Sequence, residues 1–158
     1  KAAGLIYQKL GTEKSDLIEL QSFDEETFDH YDLLIIGGST VGADHWQDAH
    51  KGEQWGPFHS KMKDKNISLD GKKVAFFGMG DQVLYPDDFV NDMKLLYDYF
   101  TDLGAEAIGS WSQETYEHSD SKAIVDDEFV GLALDEHNQP EMTDDRISQW
   151  LDKVLSQV

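Results

Sequence analysis

Residues 73–82 read KVAFFGMGDQ, and this segment is the strongest indication of fold class in the chain. Its apolar run Val74–Phe77 is typical of a strand that is buried on both faces, and Gly78-Met79-Gly80 follows at once. A second apolar run, Leu33–Ile36, is followed in the same way by Gly37-Gly38. Since glycine permits a sharp turn where a strand leaves a sheet, we expect both glycine stretches at the carboxyl edge of one parallel sheet.

Three further apolar segments predict strands, and apolar stripes at helical spacing predict helices. The strands are Asp16–Leu20, Ala105–Gly109 and Phe129–Leu134, and the helices are Lys1–Leu10, Asp87–Leu103 and Thr143–Val158, the last with Thr143 as its N-cap. The polar stretch Ser110–Glu128 separates the last two strands. Strands that alternate with helices across short glycine turns predict a doubly wound α/β domain. Ligands of such domains bind beyond the carboxyl ends of the strands, which indicates the loops Gly37–Trp46 and Gly78–Tyr85.

The chain has 158 residues and a mass of 17.9 kDa, which suits one domain with a sizeable core. Its 32 acidic residues against 13 Lys and Arg give a formal net charge of −19. A field this negative argues against binding to nucleic acid, whose phosphates need basic side chains, and against an anionic membrane surface. It favours docking to a basic protein, although solubility or a salt-adapted source explains the same charge.

The sequence contains no cysteine, which excludes disulfide bonds, cysteine-ligated zinc, iron–sulfur clusters and cysteine nucleophiles. The longest apolar runs are only a few residues long, so we expect no membrane insertion and a cytoplasmic location. A group of histidines and aspartates matches no metal-ligand spacing; it consists of Asp44, His45, Asp48, His50 and His59. Neither a Gly-x-Ser-x-Gly nor a His-x-x-x-His motif is present, so we predict no catalytic and no metal-binding residues.

Several motifs together resemble those of long-chain flavodoxins, from about residue 1 to the end of the chain. The matching segments are Tyr31–Gly37, Ser39-Thr40, Gly71–Gln82, Tyr85-Pro86, Phe89, Gly109–Trp111, Tyr116, Ser121–Ala123, Phe129–Asp135 and Asn138-Gln139. A strand followed by Gly-x-Gly-Asp-Gln, with a tyrosine four residues after Asp81 and the segment FVGLALD at 129–135, is a highly specific combination. The resemblance implies a doubly wound parallel sheet in the order 2-1-3-4-5, in a single domain over residues 1–158.

Flavodoxins begin with a strand and a loop rich in Thr, Ser, Gly and Asn that wraps the phosphate of flavin mononucleotide (FMN). Nothing in this chain matches that loop, and Lys1–Leu10 resembles the helix that follows it. We therefore expect the domain to be incomplete at its N-terminus, with the first strand outside the numbered residues. In that case Asp16–Leu20 and Leu33–Ile36 lie about twice the usual strand spacing apart and exchange no ladder hydrogen bonds.

The resemblance implies FMN as a non-covalently bound cofactor, and the candidate residues are Ser39, Thr40, Val41, Gly42, Ala43, Met79, Gly80, Asp81 and Tyr85. A flavin needs a flat apolar slot, polar groups at its pyrimidine edge and donors at its phosphate. We expect Tyr85 to stack on the ring and Met79–Asp81 to line the pyrimidine edge. Thr40 either reaches the ribityl or phosphate region or only caps its own loop.

Many flavodoxins cover the second flavin face with a tryptophan, where this chain has Val41. In the family, the peptide after the next position flips when the flavin takes up one electron and one proton, so that its carbonyl accepts a hydrogen bond from N5. A flip of the peptide between Gly42 and Ala43 is easy, because a positive φ costs glycine little. The second electron adds negative charge beside many carboxylates, so we expect a low reduction potential.

The sequence therefore predicts a monomeric, low-potential, one-electron carrier that has no substrate of its own. The expected partners are basic redox proteins, with a reductase of the ferredoxin/flavodoxin type as donor and a photosystem, a nitrogenase or a metabolic oxidoreductase as acceptor. Two other functions stay open, a flavodoxin-like binding or scaffold module that has lost flavin and an FMN-dependent reductase with a substrate pocket. Residues 110–128 resemble the long-chain insertion, which serves either partner docking or cover for the last strand.

Overall fold

The computed structural model describes residues 1–39 and 55–158, with the backbone alone described at Ser39. In chain order, the helices and strands of these residues are α1 (Ala2–Leu10), β1 (Leu33–Ser39), α2 (Trp55–Asp64), β2 (Lys73–Met79), α3 (Asn91–Asp102), β3 (Glu106–Ile108), β4 (Trp111–Ser112), β5 (Ile124–Val125), β6 (Glu128–Phe129), β7 (Leu132–Leu134) and α4 (Thr143–Ser156). Short 3₁₀ helices occur at Leu20–Ser22, Glu25–His30 and Pro140–Met142. None of the helices described is long and apolar enough to cross a lipid bilayer.

Strand β2 is the centre of a parallel sheet. One edge of β2 pairs with β1 along the whole length of both strands, from Leu33 opposite Lys73 to Ser39 opposite Met79. The other edge is shared, because β3 pairs with the first residues of β2 and β7 pairs with the last ones. Strands β3 and β7 therefore act as two halves of one strand, and the chain between them lies outside this main sheet.

Helices pack on both faces of the main sheet, because the side chains of β2 alternate between the two faces. Val74 and Phe76 belong to a buried apolar cluster with residues of α2 and α3. Ala75 and Phe77 belong to a second cluster with residues of α1 and α4. The interior of β2 is buried throughout, as expected for a central parallel strand. The predicted doubly wound α/β architecture is confirmed over the residues that the structure describes.

The two longest predicted helices form, but their first turns differ from the prediction. The helix predicted at Asp87–Leu103 begins only at Asn91, because Val90 has a φ of 51° and cannot continue a right-handed helix. The predicted N-cap, Thr143, is already the first residue of α4, and Met142 takes the cap position without a side-chain hydrogen bond. The preceding 3₁₀ helix runs directly into α4 and takes the place of a capped start.

Strands β1 and β2 run past the glycines at which the sequence predicted a turn. Strand β1 continues through Gly37 and Gly38 and ends at Ser39. Gly37 is required for packing and not for a turn, because a Cβ at this position would lie 2.0 Å from the ring of Phe77. The turn predicted at Gly37 and Gly78 is therefore wrong, because the strands continue to Ser39 and Met79.

The strand predicted at Phe129–Leu134 is two strands that belong to different sheets. Strand β6 pairs with β4 and β5 in a small antiparallel sheet, whereas β7 joins the main sheet. Gly131 lies between them, where a Cβ would come within 2.1 Å of the carbonyl oxygen of Phe76. Only glycine allows this close approach to β2, so the chain changes sheets at this residue. The sequence had predicted the region of the small sheet only as a polar stretch.

The strand predicted at Asp16–Leu20 is wrong, since residues 15–19 have no regular secondary structure and a 3₁₀ helix begins at Leu20. A strand needs a neighbour about 4.7–4.9 Å away for its ladder hydrogen bonds. Among the described residues β1 pairs only with β2, and the predicted double strand spacing is not tested because this segment forms no strand. The segment and β1 instead line a cavity of about 450 Å³, and Leu17 and Ile18 are exposed.

Candidate functional site

The carboxyl ends of three neighbouring strands meet at one edge of the main sheet. Ser39 at the end of β1 lies opposite Met79 at the end of β2, and Met79 lies opposite Leu134 at the end of β7. Loops that follow the carboxyl ends of parallel strands are the usual ligand site of a doubly wound fold. The candidate site therefore consists of the loop after β2 and the segment after β7, with the end of β1 beside them.

The loop after β2 is folded around the side chain of Asp81. Oδ1 of Asp81 accepts hydrogen bonds from the backbone N–H groups of Val83 at 3.1 Å and Leu84 at 2.9 Å. The N–H of Tyr85 donates to the Asp81 carbonyl at 3.0 Å, and the N–H of the buried Gly80 donates to the last carbonyl of β7 at 3.0 Å. These bonds fix the backbone from the end of β2 to Tyr85, whose side chain is half-buried.

A fully buried carboxylate, Asp135, ties this loop to the end of β7. Its Oδ2 accepts from the backbone N–H of Gln82 at 3.0 Å and from the Gln82 side-chain amide at 2.9 Å. The amide group of Asn138 bridges two carboxylates, at 2.8 Å from Oδ2 of Asp135 and 2.8 Å from Oδ1 of Asp81. Oδ1 of Asp135 accepts from the backbone N–H groups of His137 and Asn138. Asp135 therefore joins the two segments that form the site.

Both carboxylates of this network are ionised at neutral pH. Burial acts to raise the pKa of Asp135, but the hydrogen bonds from Asn138 and Gln82 outweigh burial and hold the pKa below its usual range. Partial burial likewise acts to raise the pKa of Asp81, and donors that include the N–H of Leu84 and the Asn138 amide bring it below the usual range. The site thus holds two negative charges that are linked by one amide group.

Part of the chain between β3 and β7 supports the loop from another side. The N–H of Glu117 donates to the side-chain carbonyl of Gln82 at 2.5 Å. The carbonyl of Pro86 accepts from the N–H groups of Ser119 at 2.7 Å and Asp120 at 2.9 Å. The sequence left two roles open for this insertion, partner docking and cover of the last strand. The structure adds a third role, support of the loop after β2.

The only arginine of the chain anchors the insertion to α4. Arg146 is 4% exposed, and its guanidinium lies 4.1 Å from the centroid of the Tyr116 ring. The guanidinium donates to the carbonyl and hydroxyl oxygens of Thr115 and to the side-chain carbonyl of Gln139. The Tyr116 hydroxyl donates to the carbonyl of Ala133, and burial raises the pKa of Tyr116 to about 12 although Arg146 opposes this effect. The insertion is thus held by a buried stack.

The structure brings together the described part of the predicted cofactor site. Met79–Asp81 and Tyr85 lie on the one loop after β2, and the backbone of Ser39 lies beside its first residue. The other predicted residues, Thr40, Val41, Gly42 and Ala43, lie outside the described residues.

The residues that hold the loop were missed by the sequence analysis. They are Gln82, Glu117, Asp135 and Asn138. Most of them belong to the motifs that carry the family resemblance, but no local pattern indicates a bond between residues 53 positions apart. The available signal was an aspartate directly after the apolar run Phe129–Leu134, because the end of a buried strand predicts burial and a buried carboxylate requires donors.

The histidine and aspartate group gives no metal site among the described residues. No group of three or more His, Asp or Glu side chains in residues 1–39 and 55–158 is placed to hold a metal ion. His59 lies 2.8 Å from a carboxylate oxygen of Asp102 and stacks on Tyr99, with ring centroids 4.6 Å apart. The other members of the group, Asp44, His45, Asp48 and His50, lie outside the described residues.

The known proteins that match this chain in sequence and in fold are flavodoxins. The sequence model of the family described as flavodoxin matches residues 1–150. The flavodoxin of Trichodesmium erythraeum (strain IMS101) is 40% identical over 99% of this chain and 89% of its own length, and that of Klebsiella pneumoniae is 39% identical over 98% and 88%. The crystal structure of Fusobacterium nucleatum flavodoxin bound to flavin mononucleotide is similar in fold, with a TM-score of 0.83 and 24% identity over 99% of this chain and 89% of that chain. Matched along nearly its whole length by the family and by these relatives, the chain belongs to the flavodoxin family of electron-transfer proteins.

Proposed function

We propose that this chain carries one electron at a time on a non-covalently bound FMN at the carboxyl edge of its parallel sheet. The observation that carries the proposal is the loop after β2, in which Met79–Asp81 and Tyr85 are held at a strand end by the network around Asp135. A flat ring binds tightly to a receptor that does not rearrange around it, because less conformational entropy is lost on binding. Buried hydrogen bonds supply that rigidity here.

The chemistry of the loop fits a flavin ring. Tyr85 offers a half-buried aromatic side chain for stacking. Gly80 has no side chain, so backbone groups on both sides of it are able to approach the edge of a ring. The N–H of Gly80 is already bonded to Leu134, which leads us to assign the pyrimidine edge to the carbonyls of this segment and the N–H of Asp81.

When FMN is bound, the flavin supplies the redox chemistry, since its ring accepts electrons one at a time. The protein supplies binding, orientation and exclusion of water. In this proposal Tyr85 covers one face of the ring and Met79–Asp81 hold its pyrimidine edge. The assignment of Ser39-Thr40 to the ribityl chain or the phosphate, and of Val41–Ala43 to the second face, stays a prediction, because Thr40–Ala43 lie outside the described residues.

The charges of the loop give the proposed carrier a low reduction potential. Asp81 and Asp135 are both ionised, and no Lys, Arg or His among the described residues forms an ion pair with either of them. An electron added to a ring beside these charges is raised in energy, which lowers the potential. A redox titration of the FMN-loaded protein measures this effect.

We also propose that a basic redox protein docks at this edge of the sheet. Val83 and Leu84 at the tip of the loop are 61% and 65% exposed and form an apolar spot. Asp87 and Asp88 follow as exposed carboxylates, in a chain of net charge −19. An apolar spot beside acidic groups fits a partner whose apolar patch is surrounded by Lys or Arg. A ferredoxin/flavodoxin-type reductase as donor, and a photosystem, nitrogenase or oxidoreductase as acceptor, stay predictions.

Titration of the flavin-free protein with FMN, followed by flavin fluorescence, tests the cofactor. We expect saturable quenching at one site per chain and a yellow protein after gel filtration. A folded protein that leaves the fluorescence unchanged would contradict the proposal and favour the scaffold alternative. Turnover of a quinone with NADPH by the yellow protein would instead favour the reductase alternative.

The salt dependence of electron transfer tests the partner. Reduction by a basic reductase under second-order conditions should slow as salt rises from about 0.01 to 0.1 M, because the Debye length shortens from about 30 to 10 Å. Replacing Asp87 and Asp88 by Asn should flatten this dependence. The same change at Asp144 and Asp145, which are exposed on α4, should matter less. A rate that is independent of salt would assign the acidic surface to solubility alone.

A monomeric state, a cytoplasmic location and a single domain over residues 1–158 complete the proposal. Sedimentation equilibrium tests the first point and cell fractionation tests the second. A single cooperative unfolding transition, followed at the same time by circular dichroism and tryptophan fluorescence, tests the third. A dimer, a membrane or extracellular fraction, or two separate transitions would contradict the corresponding point.

A further inference from the structure

We infer that Asp135 is a positioning residue for the flavin, because its buried carboxylate fixes the loop Gly80–Tyr85 in the shape that receives the ring and its charge lowers the reduction potential. This inference rests on the proposed function, since it concerns the same site. It adds a residue that acts through Gln82 and Asn138 and not through its own contact with the ring.

The hydrogen bonds of Asp135 connect the loop to the end of β7. Oδ1 accepts from the N–H groups of His137 at 3.1 Å and Asn138 at 2.9 Å, which shapes the turn after β7. Oδ2 accepts both Gln82 donors directly, together with the Asn138 amide, which also binds Asp81. A displacement of the loop would remove donors from a buried charge, and an unsatisfied buried charge is strongly unfavourable. The loop is therefore restricted to one position.

The charge of Asp135 is balanced by dipolar donors and not by a cation. Its side chain has no exposed surface, and no basic residue of the described chain forms an ion pair with it. Amide dipoles stabilise the carboxylate locally but do not cancel its charge at a distance. The field of the carboxylate therefore reaches the proposed flavin edge through protein, where salt and water screen it poorly.

Glu25 provides a matched control, because it is also a buried carboxylate. It is 7% exposed, and its oxygens pair with Lys61 at 2.9 Å and with Lys65. These pairs connect the 3₁₀ helix Glu25–His30 to α2 and its following turn, and not to the loop after β2. Removing the charge of Glu25 therefore measures the general effect of losing a buried carboxylate.

The test compares three variants with the native sequence by amide hydrogen exchange without flavin, by FMN affinity and by midpoint potential. Asp135→Asn keeps the shape of the side chain and removes its charge, whereas Gln82→Met keeps that charge and removes the side-chain bonds of the loop. We expect Asp135→Asn to weaken FMN binding about tenfold or more, because hydrogen bonds to a charged group are strong. Gln82→Met should weaken it less, and Glu25→Gln should leave it unchanged.

Hydrogen exchange reports the loop position without any flavin. The amide of Gln82 should exchange faster in Asp135→Asn, since it loses its carboxylate acceptor, while the amides of α4 keep their rates. The amides of Val83 and Leu84, which donate to Asp81, should exchange faster because the loop is no longer tied to β7. The midpoint potential reports the charge. It should rise in Asp135→Asn and change less in Gln82→Met, a difference that a merely structural role would not produce.

The possible outcomes separate this inference from the proposed function. Native affinity, potential and exchange in Asp135→Asn would overturn the inference and leave the proposed function in place. Weaker binding at an unchanged potential would overturn its electrostatic part. If the native protein does not bind FMN, both the proposed function and the role of Asp135 in flavin binding are contradicted. The exchange rates then show separately whether Asp135 holds the loop.

A second variant covers the case in which Asp135→Asn does not fold. Asn138 is exposed, so Asn138→Ala should fold, and it removes only the bridge between Asp81 and Asp135. Faster exchange of the loop amides together with weaker FMN binding would support the inference. Native values of both would overturn it.

Discussion

Two irregular segments of the chain, the loop Gly80–Tyr85 and the segment Asp16–Gln21, differ in how they are held. The loop contains Gln82, which is only 2% exposed, because the Asp135 carboxylate accepts from both of its N–H donors and the N–H of Glu117 donates to its side-chain carbonyl. The segment has as many apolar residues as the loop, but it lines a cavity beside β1, and Leu17 and Ile18 are exposed. Both segments expose apolar side chains, so the difference between them lies in the buried hydrogen bonds that hold the loop.

Two buried carboxylates, one beside each region in the chain, also differ in their partners. Asp135 is fully buried, and its partners are amide donors of the site itself. Glu25 follows the segment Asp16–Gln21 in the chain, and its partners Lys61 and Lys65 keep 51% and 47% of their side-chain surface exposed. Water is able to replace Glu25 as a partner for these lysines, whereas the two Gln82 donors to Asp135 are buried. We therefore expect the loss of the Asp135 carboxylate to lower the free energy of unfolding more than the loss of the Glu25 carboxylate.

The largest effect is expected for Asp135→Ala, which removes the acceptor from two buried donors of Gln82 and from partly buried donors of His137 and Asn138. Each buried donor without an acceptor costs about 1–3 kcal/mol, so we expect the free energy of unfolding to fall by about 3–5 kcal/mol. Urea titration at neutral pH measures it. Glu25→Ala is the control and should cost clearly less, because its lysines turn to solvent. Equal losses of unfolding free energy in the two variants would show that the two carboxylates stabilise the fold to the same extent.

A smaller effect is expected for Tyr85→Ala, which removes the ring at the end of the braced loop. FMN binding should weaken by about 1–3 kcal/mol, the range for stacking of a base on an aromatic side chain. Fluorescence titration gives the affinity. Tyr99→Ala is the control, since Tyr99 stacks on His59 in α2 and lies off the loop. An unchanged affinity in Tyr85→Ala would place the flavin elsewhere.

Acid should weaken the region around Glu25 in a defined pH range. Hydrogen bonds from Lys65 and Lys61 lower the pKa of Glu25 to about 2, from 4.5 in an unfolded chain. Because the folded pKa is the lower one, the stabilisation is complete above pH 4.5 and is lost as the pH falls toward 2. The free energy of unfolding should therefore fall less steeply over this range in Glu25→Gln than in the native protein. Parallel curves would show that the ion pairs do not stabilise the fold.

The smallest effect on stability is expected for Leu17→Ser in the segment Asp16–Gln21. Leu17 is 55% exposed, so its replacement should change the free energy of unfolding by no more than about 0.5 kcal/mol. FMN affinity should stay the same. A loss above about 2 kcal/mol, the range for a buried leucine, would show that this segment is packed in solution and would end the contrast with the loop.

The sequence predicted the main elements well where a local pattern determines them. The apolar runs of β1 and β2 and the apolar stripe of α4 are periodic over short distances, so their type and approximate bounds follow from neighbouring residues. The same reasoning was wrong at Asp16–Leu20, because a strand also needs a partner strand, which an apolar run does not reveal. It was wrong at Gly37 as well, because the Phe77 ring that requires a glycine belongs to another strand.

The candidate site was predicted in its position but not in its support. Asp81 and Tyr85 follow a predicted strand directly, so their place at the sheet edge could be derived. The bonds from Asp135 and Glu117 reach across 53 and 35 positions, and no spacing rule connects residues so far apart. Hydrogen-bond partners of this kind depend on the final packing of the chain, which a sequence pattern alone does not contain.

The pairing of β3 and β7 along one edge of β2 makes the fold modular. Strand β2 sets the register of both half-strands, so the sheet does not depend on the covalent connection between them. We expect insertions at exposed positions between Gly109 and Gly131 to keep the register of the main sheet, while they change the support of the loop after β2. The support of the site is thus separable from the pairing of the main sheet, since a change in the insertion reaches the loop without altering the register of β3 or β7.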